Sequence, residues 1–227
     1  MENHFQFFAP AHLAILAAVP LLAAAFAVMQ RRLPAGCPWV RLGLGSALLV
    51  DLALWYGYLA VLGQLFPQRL PLELCDVTLF LSAMALFTLR PAVFDLAYYW
   101  ALAGTSMALL TPDVREPISS LSTIQFFVSH GLAVTAVLYL VWSGQVRPRR
   151  GSVARALVAV NILAAFDGAF DAIFKTDYMY LCVKPANASL LNLLGPWPWY
   201  IASSEVVALG LFVLLYLPFR KGAGRTA

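Results

Sequence analysis

Charge is scarce in this chain. Only 11% of its 227 residues are charged, against 62% that are apolar, and the mean hydropathy is +0.79. A soluble protein of that make-up would present more apolar surface than it could bury, so a soluble fold is excluded and an integral membrane protein is expected. Cysteine is sparse too: Cys37, Cys75 and Cys182 form no CxxC pair, which gives a thiolate metal site little support. Histidine is confined to His4, His12 and His130, and only the last lies deep in an apolar segment, too few for a metal-dependent lipid hydrolase. No metal or cofactor is expected. No internal repeat is visible, which gives no encouragement to an inverted-repeat transporter. The last apolar segment, 199–217, has no lysine for a rhodopsin Schiff base. The first lacks a basic leader, beginning Met1, Glu2, Asn3, His4, and is expected to be a retained helix.

What is present is a succession of apolar runs over 9–29, 39–66, 72–89, 93–110, 124–142, 153–174 and 199–217. Each has about the length of a bilayer-crossing helix. They predict an all-α, polytopic bundle of seven transmembrane helices, with residues 1–227 forming a single integral membrane domain. Proline, glycine and basic residues punctuate the breaks, and the third and fourth segments meet at Arg90 and Pro91 with almost no loop. The positive-inside rule predicts the N-terminus outside and the C-terminus in the cytoplasm. That orientation gives the cytoplasmic side Arg31, Arg32, Arg41, Arg90, Arg147, Arg149, Arg150, Arg155, Arg220, Lys221 and Arg225, which is 11 of the 15 basic residues. Arg69, Arg115, Lys175 and Lys184 fall outside. The formal charge of +4 is therefore a topological signal, and no nucleic-acid partner is expected.

Polar residues intrude into the outer half of the bundle: Glu73, Cys75 and Asp76 in the third segment, His130 in the fifth, Asp167 and Asp171 in the sixth, Glu205 in the seventh. Asp51 and Asn161 lie nearer the midplane. Ionisable groups in lipid are expensive and normally face a bundle interior or a wet cavity. Asp171 and Lys175 are spaced for an ion pair along one helix. Asp167 has no such local partner and could orient a histidine or bridge helices. Asp95 suits the start of its helix, and Asp51 suits a hydrogen bond to a neighbouring helix. Gly43, Ala47, Ala164 and Gly168 have the spacing of close helix packing.

Three readings of Cys75 stay open on residue type: a small buried hydrophobe, a disulfide partner of Cys182, or a nucleophile near a helix N-terminus. His130, as a neutral imidazole, can accept a thiol proton while donating its other N–H. With one of Asp167, Asp171 or Glu205 as orienter, and Asp76 as a further support, Cys75 and His130 would supply the nucleophile and base of covalent acyl transfer. A receptor or transporter would use the same pocket for binding alone.

The runs Leu70–Pro71–Leu72–Glu73–Leu74–Cys75, Phe126–Phe127 with His130, Asp177–Tyr178–Met179–Tyr180–Leu181 with Lys184–Pro185, and Gly195–Pro196–Trp197–Pro198–Trp199–Tyr200 resemble the bacterial YwaF-like relatives of the transmembrane protein 164 family. The Gly-Pro-Trp-Pro-Trp-Tyr run is the specific one. The resemblance implies a membrane-embedded lipid acyltransferase that moves a fatty acyl chain between a phospholipid and a lysophospholipid, with Cys75 and His130 as its catalytic pair. The likeness of the family to membrane hydrolases of fatty-acid esters leaves lipid ester hydrolysis as the alternative. The expected location is a bacterial inner membrane, with the site on the extracytoplasmic side. Tyr178, Tyr180 and Asn192 are candidate hydrogen-bond donors to substrate, and Lys184, Lys175 and Arg69 candidate contacts for a lipid phosphate. Asn192 stands where many bacterial relatives are expected to have an acidic residue.

Overall fold

A computed structural model describes residues 5–34, 37–187 and 189–222, with backbone only at 221 and 222. His4 and Arg225 lie outside the described residues. Those described are helical, without a β-strand. Seven apolar helices follow in order: α1 Pro10–Arg32, α2 Trp39–Val61, α3 Leu74–Thr88, α4 Pro91–Leu110, α5 Leu121–Trp142, α6 Ser152–Phe174 and α7 Trp199–Tyr216. Six are long and apolar enough to cross a membrane, the last of them with its 3₁₀ extension, and α3 is shorter. At 1.5 Å per residue, the 15 residues of α3 span about 22 Å, less than the roughly 30 Å of a hydrocarbon core.

The boundaries follow local chemistry. Pro10 stands at the first position of α1, where its missing N–H costs nothing, and Arg31 and Arg32 complement the dipole at the other end. The sequence pattern carried α2 to residue 66. Instead the helix stops at Val61, and the chain turns through Gly63 at φ +66°. Residues 62–73 are irregular. Ser120 caps α5, accepting from the Thr123 amide at 3.2 Å.

One end of the bundle is basic and tied by polar contacts. Arg31 donates to the Trp142 carbonyl, linking α1 to α5. Arg41 of α2 donates to the Leu86 and Phe87 carbonyls at the end of α3, at 2.6 and 2.9 Å. Asp95 near the start of α4 is fully buried and accepts from the Arg149 amide and side chain and from Arg155. The sequence suggested only a dipole role for it; the fold makes it a clamp on α6. Midway along the bundle, Gln125 of α5 donates to Asp51 of α2 at 3.3 Å, the interhelix bond that residue type suggested.

The core gathers on α3, α4 and α5, around Leu79, Leu86, Phe94, Tyr99, Val137 and Leu140. The close glycine contact is not at Gly43, which has open space around it, nor at Gly168, whose neighbour is at ordinary distance. It is at Gly45, where an added Cβ would meet the Phe87 ring at 2.9 Å. Residue spacing along α2 cannot tell which small residue faces α3.

Within α4, Trp100–Thr105 form a π-helical turn, with the Ser106 amide bonded to Ala101 five residues back. Such turns insert one residue into a helix and recur at functional sites.

Candidate functional site

Where α3 begins late, the bundle holds a cavity of about 780 Å³, open at the end opposite the basic one. Non-helical backbone at such depth is tolerated when it lines a cavity. The mouth is polar, edged by Gln68, Arg69, Asp113, Arg115, Glu116 and Ser122, and the floor is apolar, made by Trp100, Val160, Leu211 and Phe212. Leu190, Leu191 and Leu194 contribute from the long connection before α7. A volume of this size accommodates a lipid-like or drug-sized molecule.

Cys75 and His130 both line this cavity. Thirteen residues separate Cys75 from the end of α3 and twelve separate His130 from the end of α5, so along their helices they stand about 20 Å and about 18 Å from the basic end. Cys75 is half-buried, a free thiol, and its sulfur accepts from the Thr105 hydroxyl at 4.0 Å. Cys182 is exposed and free, so the two cysteines form no disulfide. His130 is buried and stacks on Phe126 with centroids 4.0 Å apart. Its Nδ1 lies 2.7 Å from the Phe126 carbonyl and 3.0 Å from the Ser129 hydroxyl. A carbonyl can only accept, so Nδ1 carries the proton and Nε2 holds the lone pair of a neutral base. His12 contrasts with it: Nδ1 accepts from the Phe8 amide and Nε2 donates to the Leu109 carbonyl, so both nitrogens are used in packing.

The carboxylates have other occupations. Glu73 accepts from the Met179 amide at 2.9 Å, tying the long connection to the start of α3. Asp76, one turn in, reaches back to the Glu73 backbone like the far half of a capping box and accepts from Tyr56. Asp171 accepts from the Thr176 hydroxyl and the Tyr178 amide. Lys175, left-handed at φ 57°, turns its ammonium back to the Ala172 carbonyl, so the ion pair with Asp171 is replaced by a helix C-terminal contact. Glu205 accepts from Asn161 at 2.9 Å and lines the cavity. Asp167 is fully buried, and neither of its oxygens has a hydrogen-bond partner. None of these carboxylates hydrogen-bonds His130.

The expected substrate contacts divide. Tyr178 and Tyr180 line the cavity, but their hydroxyls are engaged: Tyr178 donates to Pro67 at 2.7 Å and accepts from the Leu70 amide at 2.8 Å, while Tyr180 donates to Asp113 at 3.2 Å. Burial, then the Asp113 carboxylate, pushes the Tyr180 phenol above its ordinary range, so it remains a donor at neutral pH. Lys184 donates to the Gly195 carbonyl at 2.5 Å and sits over the Tyr200 ring, away from the cavity wall. Asn192 is exposed and accepts from Ser189. At the mouth, Ser122 donates to Glu116 at 2.6 Å and, with Ser120, holds its carboxyl below the usual carboxylate range.

Sequence reasoning missed Thr105, Tyr56, Asp113 and the mouth pair Arg115 and Glu116. Asp113 and Glu116 flank Arg115 in a short loop, a signal that could have been read. Nothing in the sequence marks Thr105.

These features define a helical membrane protein built around a polar-mouthed, apolar-floored cavity. The chain belongs to the TMEM164 family, whose model matches residues 5–216. It is also 25% identical over 218 residues to an uncharacterized protein of Treponema pallidum (strain Nichols), covering 95% of this chain and 90% of that one. No solved structure matches.

Proposed function

We propose that this protein is a membrane-embedded lipid acyltransferase that passes a fatty acyl chain between phospholipid and lysophospholipid through a thioester on Cys75. The observation that carries this reading is the cavity wall: a free thiol and a buried histidine with an unoccupied Nε2 face one lipid-sized space. In this reading all seven segments cross the bilayer, α3 completing its span with the irregular residues 62–73, and the basic end lies in the cytoplasm with the mouth outside, as the arginine distribution favours. The exposed Trp197 and Trp199 suit an interfacial belt at the mouth end. The membrane is a bacterial inner membrane.

In this mechanism His130 Nε2 takes the Cys75 proton and the thiolate attacks an ester carbonyl of the phospholipid. The ester C–O bond breaks, the departing lysolipid oxygen takes the proton back from His130, and the acyl group stays on sulfur. An acceptor hydroxyl, deprotonated by His130, then attacks the thioester, and Cys75 leaves and recovers the proton. Two easier steps replace one difficult one. Arg69 and Arg115 at the mouth supply the positive charge that a phosphate headgroup seeks, while the apolar floor receives the acyl chain. The wide polar mouth also admits water, which favours lipid ester hydrolysis by the same pair as the second reading.

The test is acyl transfer by the purified protein in nanodiscs with an isotope-labelled phospholipid, with and without added lysophospholipid. Cys75→Ala and His130→Ala should each lower turnover by about 10²-fold or more while leaving the fold intact, and mass spectrometry should find an acyl adduct on Cys75. Release of free fatty acid unaffected by lysolipid would favour the hydrolase. Full turnover in Cys75→Ala would end both readings.

A further inference from the structure

The geometry points to Thr105 as the positioning residue for the Cys75 sulfur, supplying through its hydroxyl the hydrogen bond that favours the thiolate. The inference rests on the thioester chemistry proposed above. Thr105 is fully buried, and the sulfur 4.0 Å away is the only hydrogen-bond partner of its hydroxyl among the described residues. A helical hydroxyl can be satisfied by the carbonyl four residues back, as those of Thr78, Thr111 and Ser204 are here. Thr105 is turned outward instead.

The π-helical turn accounts for that direction. Each helical residue advances about 100°, so the single residue inserted over Trp100–Thr105 re-phases the face that α4 presents to α3. An unbroken α-helix would carry the Thr105 hydroxyl away from Cys75. Gly104 beside it leaves room for Leu74, which an added Cβ would meet at 3.3 Å. The close approach of the two helices and the hydroxyl direction thus arise from the same turn.

The sulfur needs such a donor. The groups facing it include the carboxylates of Asp76 and Glu73, which oppose a negative sulfur, and the Tyr180 phenol; His130 shares its cavity wall. A hydrogen bond to neutral sulfur is long and weak, but to a thiolate it is charge-assisted and stronger. Thr105 would therefore act when the proton leaves for His130, and again when the thiolate departs from the thioester.

The test reads the sulfur directly and needs no lipid substrate. In the full chain in nanodiscs, with Cys37→Ser and Cys182→Ser removing the other thiols, Cys75 alkylation by iodoacetamide is followed by intact mass at pH 8. Thr105→Val keeps the shape and loses the hydroxyl; Thr105→Ser does the reverse. Loss of one charge-assisted hydrogen bond should slow alkylation about tenfold or more in the valine variant, with Thr105→Ser close to the parent. A packing role would give the opposite order. Thr105→Ala, which also lacks the hydroxyl, stands in should the valine variant fail to fold. A valine or alanine variant that reacts at the parental rate overturns the inference even if Cys75 turns over lipid. The expected order without any acyl transfer would leave Thr105 in place and remove the proposed reaction.

Discussion

Asp95 offers a test of how the basic end is held, because its two sides are unequally buried. The carboxylate is fully buried, whereas the side chains of Arg149 and Arg155 are 43% and 46% exposed. Replacing Asp95 with leucine releases two arginines that can swing into water. It removes the contacts from Arg149 at 3.0, 2.9 and 2.8 Å and from Arg155 at 2.9 Å, but strands no buried charge. The cost should be about 1–3 kcal/mol. Replacing Arg149 and Arg155 together with glutamine removes both countercharges and leaves the buried carboxylate with the Arg149 backbone amide, and should cost about 3–5 kcal/mol. Either single arginine variant should fall below the double, since the other guanidinium remains. Thermal unfolding in detergent, followed by circular dichroism, would rank the variants. If the arginine double variant proves no less stable than Asp95→Leu, the carboxylate is not the dependent partner and the reasoning from burial fails.

Gly45→Ala should cost about 1–3 kcal/mol by driving a methyl into the Phe87 ring, with part of the loss recovered in a Phe87→Leu background; the same thermal assay reads both. Tyr180 gives a pH prediction. Its phenol is raised in the folded protein, so its contribution to holding the connection on Asp113 is complete below the ordinary tyrosine value and declines as pH climbs beyond it. Amide hydrogen exchange over residues 178–187, corrected for intrinsic rate, should rise above pH about 10 in the parent, and Tyr180→Phe should remove that step.

The helices were legible because lipid imposes a strong, local pattern: apolar length, basic flanks and proline at the breaks. Their ends were legible only in part. Nothing in the apolar run through Leu62 and Phe66 shows that the chain leaves the helix at Val61, since the turn depends on Gly63 and on what residues 62–73 pack against. Cys75 and His130 could be singled out as costly in lipid, and the cavity does bring both to its wall. The supporting carboxylates were another matter. Glu73, Asp76 and Asp171 look available in sequence, yet Glu73 and Asp171 are occupied by amides and a hydroxyl from the chain after α6, and Asp76 by the Tyr56 hydroxyl of α2 and the Glu73 amide. Lys184 illustrates the same limit: its charge suggested a phosphate, but the left-handed turn at Gly195 presents a carbonyl to it. Thr105 was invisible because its direction depends on a one-residue change in helical winding.

The shortness of α3 bears on how such a cavity could be remodelled. Most binding pockets change shape by exchanging large side chains for small ones, which disturbs packing on every side. Here the space exists because one helix begins late, so its capacity is governed by the length of a segment. Each residue wound onto the start of α3 would raise its end by about 1.5 Å and take up slack from residues 62–73. The surrounding helices, clamped together at the far end, would keep their places. Depth and frame are thus separable, and the pocket could be made shallower or deeper by insertion and deletion alone.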